Sequence, residues 1–148
     1  MCSGALTGKR SSAGVKGSVW NKRIMRGEKL MDGKTKGQIE AEISEAIIKF
    51  EKEHMGRGPK EARTYLMEDM IFIRLKGVLT PAEEQLAKTA EGADLIKKTR
   101  VQLLEGARVL IENIVVDVTG VQVKSLHSDI STKTGERVIV LTLEGDIQ

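Results

Sequence analysis

Two histidines, His54 and His127, and one cysteine, Cys2, are the side chains of this 148-residue sequence best suited to metal or nucleophile chemistry. A zinc centre needs several ligands converging at fixed spacing, and neither HExxH nor CxxC occurs. GxSxG is also absent, so no serine nucleophile is signalled. His127 alternates in register with Val121, Val123 and Ser125, which sets it on one face of a strand beside Asp129. It reads as a packed or surface histidine. The phosphate-binding patterns fail as well. "GRGPKE" (56–61) has glycines and cations but follows a helix instead of opening one, and it matches neither the Walker pattern nor GxGxxG. "STKTGER" (131–137) offers hydroxyls with Lys133 and Arg137 around Gly135, a set that could hold an anion and that hairpin turns commonly share. The expectation is a protein without catalytic residues, metal or cofactor.

One stretch keeps more polar chemistry than its geometry requires. In "HMGRGPKEAR" (54–63) the glycines and Pro59 are what any helix stop uses. His54, Arg57, Lys60, Glu61 and Arg63 are not needed for a turn. Polar residues clustered on a loop above a sheet are placed for binding. These five, with His127, Lys133 and Arg137, are therefore expected to form a recognition surface for a protein partner or a small anion.

The elements that must position them follow from periodicity. "GQIEAEISEAIIKFEKEHMG" sets Ile39, Ile43, Ala46, Ile47 and Phe50 on one face, predicting an amphipathic helix over 38–54. "ARTYLMEDMIFIRLKG" is rich in β-formers around Glu68-Asp69 and predicts antiparallel strands over 62–67 and 70–76. Thr80, Pro81 and Glu83 spell a capping box that opens a helix. Gly92 should interrupt that pattern, and a long helix should run over 93–119 with Ile96, Leu103, Ala107, Leu110, Ile114 and Val118 along its buried stripe. A closing hairpin turns at Gly135. The order is α-β-β-α-α-β-β. It predicts an α+β two-layer sandwich of about four antiparallel strands, with Ile43, Ile47, Phe50, Leu103, Leu110 and Ile114 in its core.

Length and composition narrow the class further. A chain of this size can bury a core without disulfides, and a lone cysteine suits a reducing cytoplasm. No apolar run approaches the roughly 18 residues of a membrane span. Residues 1–30 hold seven of the 24 basic residues and one of the 21 acidic ones. That leaves 17 basic against 20 acidic residues beyond position 30, a net of −3. The basic balance thus belongs to a Gly/Ser-rich tail without period, expected to be disordered. Arg26-Gly27-Glu28 is what a purine-rich ribosome-binding sequence spells in translation, so Met31 is expected to be the true start, opening a single domain over 31–148.

Nucleic acid is the competing reading. The element order is similar to that of type II KH domains, which clamp RNA with a GxxG loop between two helices. Here Gly56 and Gly58 form GxG between helix and strand, and only Tyr65 and Phe72 are available for stacking in the sheet. No specific nucleic-acid partner is expected.

"FEKEHMGRGPKEARTYLMEDMIFIRLKGVLTPAEEQLA" and "HSDISTKTGERVIVLTL" together resemble the MpsC-type family of small bacterial proteins. The family is named for a Na+-translocating, membrane-potential-generating system, and the resemblance runs from about Gly37 to Leu143. It implies a cytoplasmic accessory or regulatory subunit, peripheral at the inner face of the membrane, in contact with a membrane transport subunit. It carries over no catalytic residue. A KH-like RNA-binding or anion-binding module remains the alternative, and a homo-oligomer stays open.

Overall fold

Apolar residues recurring every three or four positions make Lys36–Met55 the first helix, α1, with Ile39, Ile43, Ile47 and Phe50 buried along one side. The computed structural model describes residues 33–147; the expected tail over 1–30 and the Met31 start fall outside them. Gly56 ends α1 at φ 90°, a left-handed conformation that a side chain would disfavour.

Strands β1 (Glu61–Met67) and β2 (Met70–Lys76) pair from Glu61↔Lys76 to Met67↔Met70 across a two-residue turn. Glu68 takes a positive φ of 54° in that turn. The turn is tied to the far end of the chain, because the Asp69 carbonyl accepts the Leu143 N–H at 2.8 Å. Three helices follow: α2 (Pro81–Leu86), α3 (Ala90–Gly106) and α4 (Arg108–Thr119). Strands β3 (Val123–Ser131) and β4 (Glu136–Leu143) close the chain. The sheet order is β1-β2-β4-β3, every pair antiparallel. This is the expected α+β sandwich, with the long helix divided in two.

The sheet turns Ile71, Ile73, Leu75, Ile139 and Leu141 toward the helices, all of them fully buried. Edge strand β1 is covered by α1: the Leu66 N–H donates to Glu40 Oε2 at 2.8 Å, and the Ser44 and Thr64 hydroxyls pair at 2.8 Å.

Local signals placed the short helices. Thr80 accepts from the Glu83 N–H and donates its own N–H to the Glu83 carboxylate, completing the capping box before Pro81. Thr89 caps α3 by accepting from the Gly92 N–H. Gly92 is required by contact, since a Cβ there would stand 1.8 Å from the Leu86 carbonyl oxygen. Its lack of a side chain lets α3 start directly against the end of α2.

The buried stripe of α3–α4 differs from the expected one. It runs through Ile96, Arg100, Leu104, Ala107, Ile111, Val115 and Thr119. Leu103 and Leu110 are exposed, and Ile114 is half-buried. The core therefore takes the residue after each of the three. Two polar residues lie in this stripe, and each makes an internal hydrogen bond. Arg100 donates to the Val78 carbonyl, and the Thr119 hydroxyl donates to the Val115 carbonyl at 2.7 Å. A break at Ala107 (φ −105°, ψ 12°), after the poor helix former Gly106, separates the two helices.

Candidate functional site

Beneath the loops at one end of the sheet lies a buried ion cluster. Glu51 from α1, Arg100 from α3 and Arg137 from β4 are all nearly inaccessible. Arg137 Nη1 lies 3.4 Å from Glu51 Oε2, and its Nη2 donates to the Arg100 carbonyl at 3.1 Å. Arg100 grips the half-buried Glu83 with two hydrogen bonds, at 2.6 and 3.1 Å. Glu51 Oε1 and Arg100 Nη1 face each other at 3.9 Å, too far for a hydrogen bond. Burial pushes the Glu51 carboxyl above its ordinary value, with Arg137 and Arg100 pulling the other way. Burial likewise lowers Arg137, opposed by Glu51. For Glu83 burial also acts upward, but hydrogen bonds from Arg100 and the Thr80 backbone outweigh it and hold the carboxyl below its ordinary value. The cluster joins α1, α2, α3 and β4. Glu51, Arg100 and Arg137 are enclosed, so the cluster ties these elements together and presents no surface of theirs to a ligand.

The surface chemistry lies on the open face of the sheet. Antiparallel register brings Arg63 opposite Arg74, Glu61 opposite Lys76 and Tyr65 opposite Phe72. Glu61, Arg63, Tyr65, Arg74 and Lys76 line a shallow pocket of about 210 Å³. Glu61 reaches Arg63 at 3.3 Å and Lys76 at 3.8 Å, while Arg74 is paired with Glu136 at 2.5 Å. That hydrogen bond holds the Arg74 guanidinium more firmly protonated. Three cations against two carboxylates leave one positive charge in excess. The two guanidinium groups side by side suit a carboxylate or phosphate, which each can bind in bidentate fashion. Tyr65 and Phe72 contact each other at 6.2 Å between ring centroids and flank this patch.

The expected recognition residues divide between several places. Glu61 and Arg63 enter the open-face pocket, while Lys60, just before them in the chain, is not among its lining residues and lays its stem against Gly77. His127 is exposed on the same sheet face, beside Ser125 at 3.1 Å. His54 stacks on Phe50 at the end of α1, with centroids 4.8 Å apart. Arg57 ties two loops together by donating to the Leu79 carbonyl at 3.1 Å. Lys133 lines a separate groove of about 370 Å³ with Lys97, Asp129, Thr132 and Glu136. Arg137 is not a surface residue of the turn. It begins the inward-facing set of β4, and its charge is held in the core by Glu51.

Arg74 and Lys76 were missed by sequence reasoning, which noticed Tyr65 only as a ring available for stacking. The signal was present in "ARTYLMEDMIFIRLK": a two-residue turn at Glu68-Asp69 fixes which residues of the two strands face each other.

The fold is an α+β antiparallel four-stranded sheet with helices on one face and a charged, aromatic patch on the other. Comparison with known proteins gives the particular lineage. The sequence profile described as "Na+-translocating membrane potential-generating system (MpsC)" matches residues 35–145, so the chain belongs to the MpsC family. It is similar to the uncharacterized protein YbcI of Bacillus subtilis (strain 168), 44% identical over 115 residues, covering 78% of this chain and 93% of the relative. The uncharacterized protein YrhF of the same organism is 28% identical over 108 residues, covering 72% of this chain and 88% of YrhF. No solved structure matches the chain.

Proposed function

We propose that this protein is an accessory or regulatory subunit of the membrane-potential-generating system for which its family is named, and that it acts by binding and not by catalysis. The observation that carries the reading is the family match over 35–145, nearly the whole of the described chain. Among the described residues no helix is long and apolar enough to cross a membrane. The described part would therefore serve such a system through a surface contact. The β1–β2 pair supplies one: Arg63 and Lys76 in the open-face patch, with Lys60 just before β1, are exposed cations at one end of the two strands, suited to carboxylates on a membrane subunit. The test is affinity purification of the tagged chain from detergent-solubilised membranes of its own host. Recovery of an integral membrane protein, released at high salt, supports the proposal. Recovery of none contradicts it.

A second reading rests on Tyr65 and Phe72 beside Arg63, Arg74 and Lys76. Rings for stacking next to cations for phosphate are the ingredients of a single-stranded RNA platform. Salt-resistant, sequence-selective RNA binding by residues 31–148 would favour it over the subunit reading.

A further inference from the structure

The two edges of the sheet are finished differently. Edge strand β1 gives its Leu66 N–H to Glu40 of α1. At the other edge, the outward row of β3 follows from the ladder. In β4 the Leu143 N–H turns to the β2 side, onto the Asp69 carbonyl, and the Glu144 N–H turns to the β3 side, onto the Gln122 carbonyl. Alternation then bonds Thr142, Val140, Val138 and Glu136 to Ser125, His127, Asp129 and Ser131. The N–H and C=O groups of Leu126, Ser128 and Ile130 therefore point away from the sheet. Among the described residues, only the Ile130 N–H of this row has a partner, the carboxylate of its own neighbour Asp129 at 2.8 Å. We propose that β3 pairs antiparallel with the β3 of a second copy of the chain, about a two-fold axis at Ser128, joining the two four-stranded sheets into one.

The sequence of the strand argues for that occupant. Residues 123–131 read VKSLHSDIS. Residues directly opposite in paired strands share a sheet face, so a two-fold register is fixed by its central residue. Centred on Ser128, the register sets Leu126 opposite the copy's Ile130, His127 opposite its Asp129 and Ser125 opposite its Ser131. Each pair occurs twice, because whatever residue i meets must meet i in return. Apolar side chains of the inner face thus meet apolar ones, and imidazole meets carboxylate on the open face. Moving the centre to His127 or to Asp129 sets Ser128 against Leu126 or Ile130, an apolar side chain against a hydroxyl in both cases. A strand of unrelated sequence imposes no such symmetry.

The pairing satisfies the outward row. Ser128 exchanges N–H···O=C bonds with its counterpart, and Leu126 does so with Ile130. His127 and Asp129 fall in the pair without backbone bonds, where opposite side chains approach most closely. Asp129, 68% of whose side chain is accessible, releases the Ile130 N–H to the copy's Leu126 carbonyl and turns to the imidazole. Lys97 reaches the same carboxylate from α3 at 3.4 Å. Charges of this kind blunt an edge, but an ion pair this accessible contributes little and its lysine stem can move aside. Val101, one turn past Lys97 on the same flank of α3, offers an apolar side chain 40% exposed beside the edge. The two-fold axis runs through the sheet, so both helical layers lie on one side and both open faces on the other. The two patches around Arg63 and Arg74 then face the same way, and the dimer does not depend on what they bind.

Sedimentation equilibrium of the full chain across the micromolar range tests this, with a species of twice the chain mass expected. Ser128→Pro should raise the dimer dissociation constant about 10-fold or more, since it removes the N–H at the axis from both copies. The β4 ladder stays whole, because Ser128 points its backbone groups outward, so circular dichroism should be unchanged. His127→Asp should also weaken the dimer by setting carboxylates opposite each other, and His127→Asp combined with Asp129→His should restore it. That rescue carries the test should Ser128→Pro fail to fold. A monomer at all concentrations overturns the proposal and leaves the edge to a strand of some other protein. A dimer that folded Ser128→Pro or His127→Asp leaves intact overturns it as well.

Discussion

Glu51 and Arg137 form an ion pair deep in the core, where the cost of desolvation rivals the attraction between the charges. Such a pair is most visible when half of it is removed. Arg137→Met should leave Glu51 facing Arg100 alone and destabilise the protein by about 3–5 kcal/mol. Adding Glu51→Gln should recover most of that loss, and urea denaturation of the two single variants and the double variant measures the coupling. The pH dependence follows from the raised carboxyl. Above the ordinary value of 4.5 the folded state keeps a proton on Glu51 that the unfolded state releases. Glu51 therefore makes stability fall as pH rises from there through its folded value. Glu83, whose carboxyl is lowered, contributes in the opposite sense: its stabilisation is present above 4.5 and is lost as pH falls. Relative to wild type, Glu51→Gln should lose the first trend and keep the second, as read from denaturation midpoints across that range. The burial of Arg137 was not legible in the sequence. "RVIVLTL" is apolar at both parities, so alternation could not say which face Arg137 shares.

At the scale of elements, what was legible was what neighbours in sequence decide. The capping box at Thr80, the stop at Gly56 and both hairpins depend on residues a few positions apart, and the structure has them where the sequence places them. The stripe of α3–α4 depends on a partner distant in sequence. Arg100 looks like a surface residue until Glu83 and Val78 are seen to receive it. An apolar pattern shifted by one residue then reads equally well, with Leu103 and Leu110 in place of Leu104 and Ile111. The two registers predict different energetics. Leu104→Ala should cost about 2–5 kcal/mol by emptying core volume, while Leu103→Ala should leave the stability of the isolated chain within about 1 kcal/mol. Thermal denaturation at low protein concentration distinguishes them. Gly92→Ala is expected to destabilise by about 1–3 kcal/mol despite the better helix propensity of alanine, because the Leu86 carbonyl occupies the space the methyl needs.

Residues 37–147 form a two-layer sandwich whose faces present different chemistry. Its element order and sheet were legible because each strand and helix carries its own period. The candidate site was legible only in part. Glu61 and Arg63 drew attention as surplus charge after a helix stop, but their companions Arg74 and Lys76 join them through strand pairing. Arg57 and Arg137 looked equivalent to them, yet the fold uses both internally. The contact set proposed for the membrane subunit is thus Lys60, Arg63 and Lys76. These cations are exposed, so their replacement should barely affect folding.

The measurement that bears most directly on the subunit reading compares wild type with the Lys60→Ala, Arg63→Ala, Lys76→Ala triple variant in one purification from host membranes, at low and high salt. The account predicts that wild type retains an integral membrane protein at low salt and releases it at high salt. The triple variant, folded by circular dichroism, should retain several-fold less at low salt, because rim charges chiefly govern association rate and salt sensitivity. A triple variant that retains the membrane protein as well as wild type, or a wild-type protein that retains none, would contradict the account.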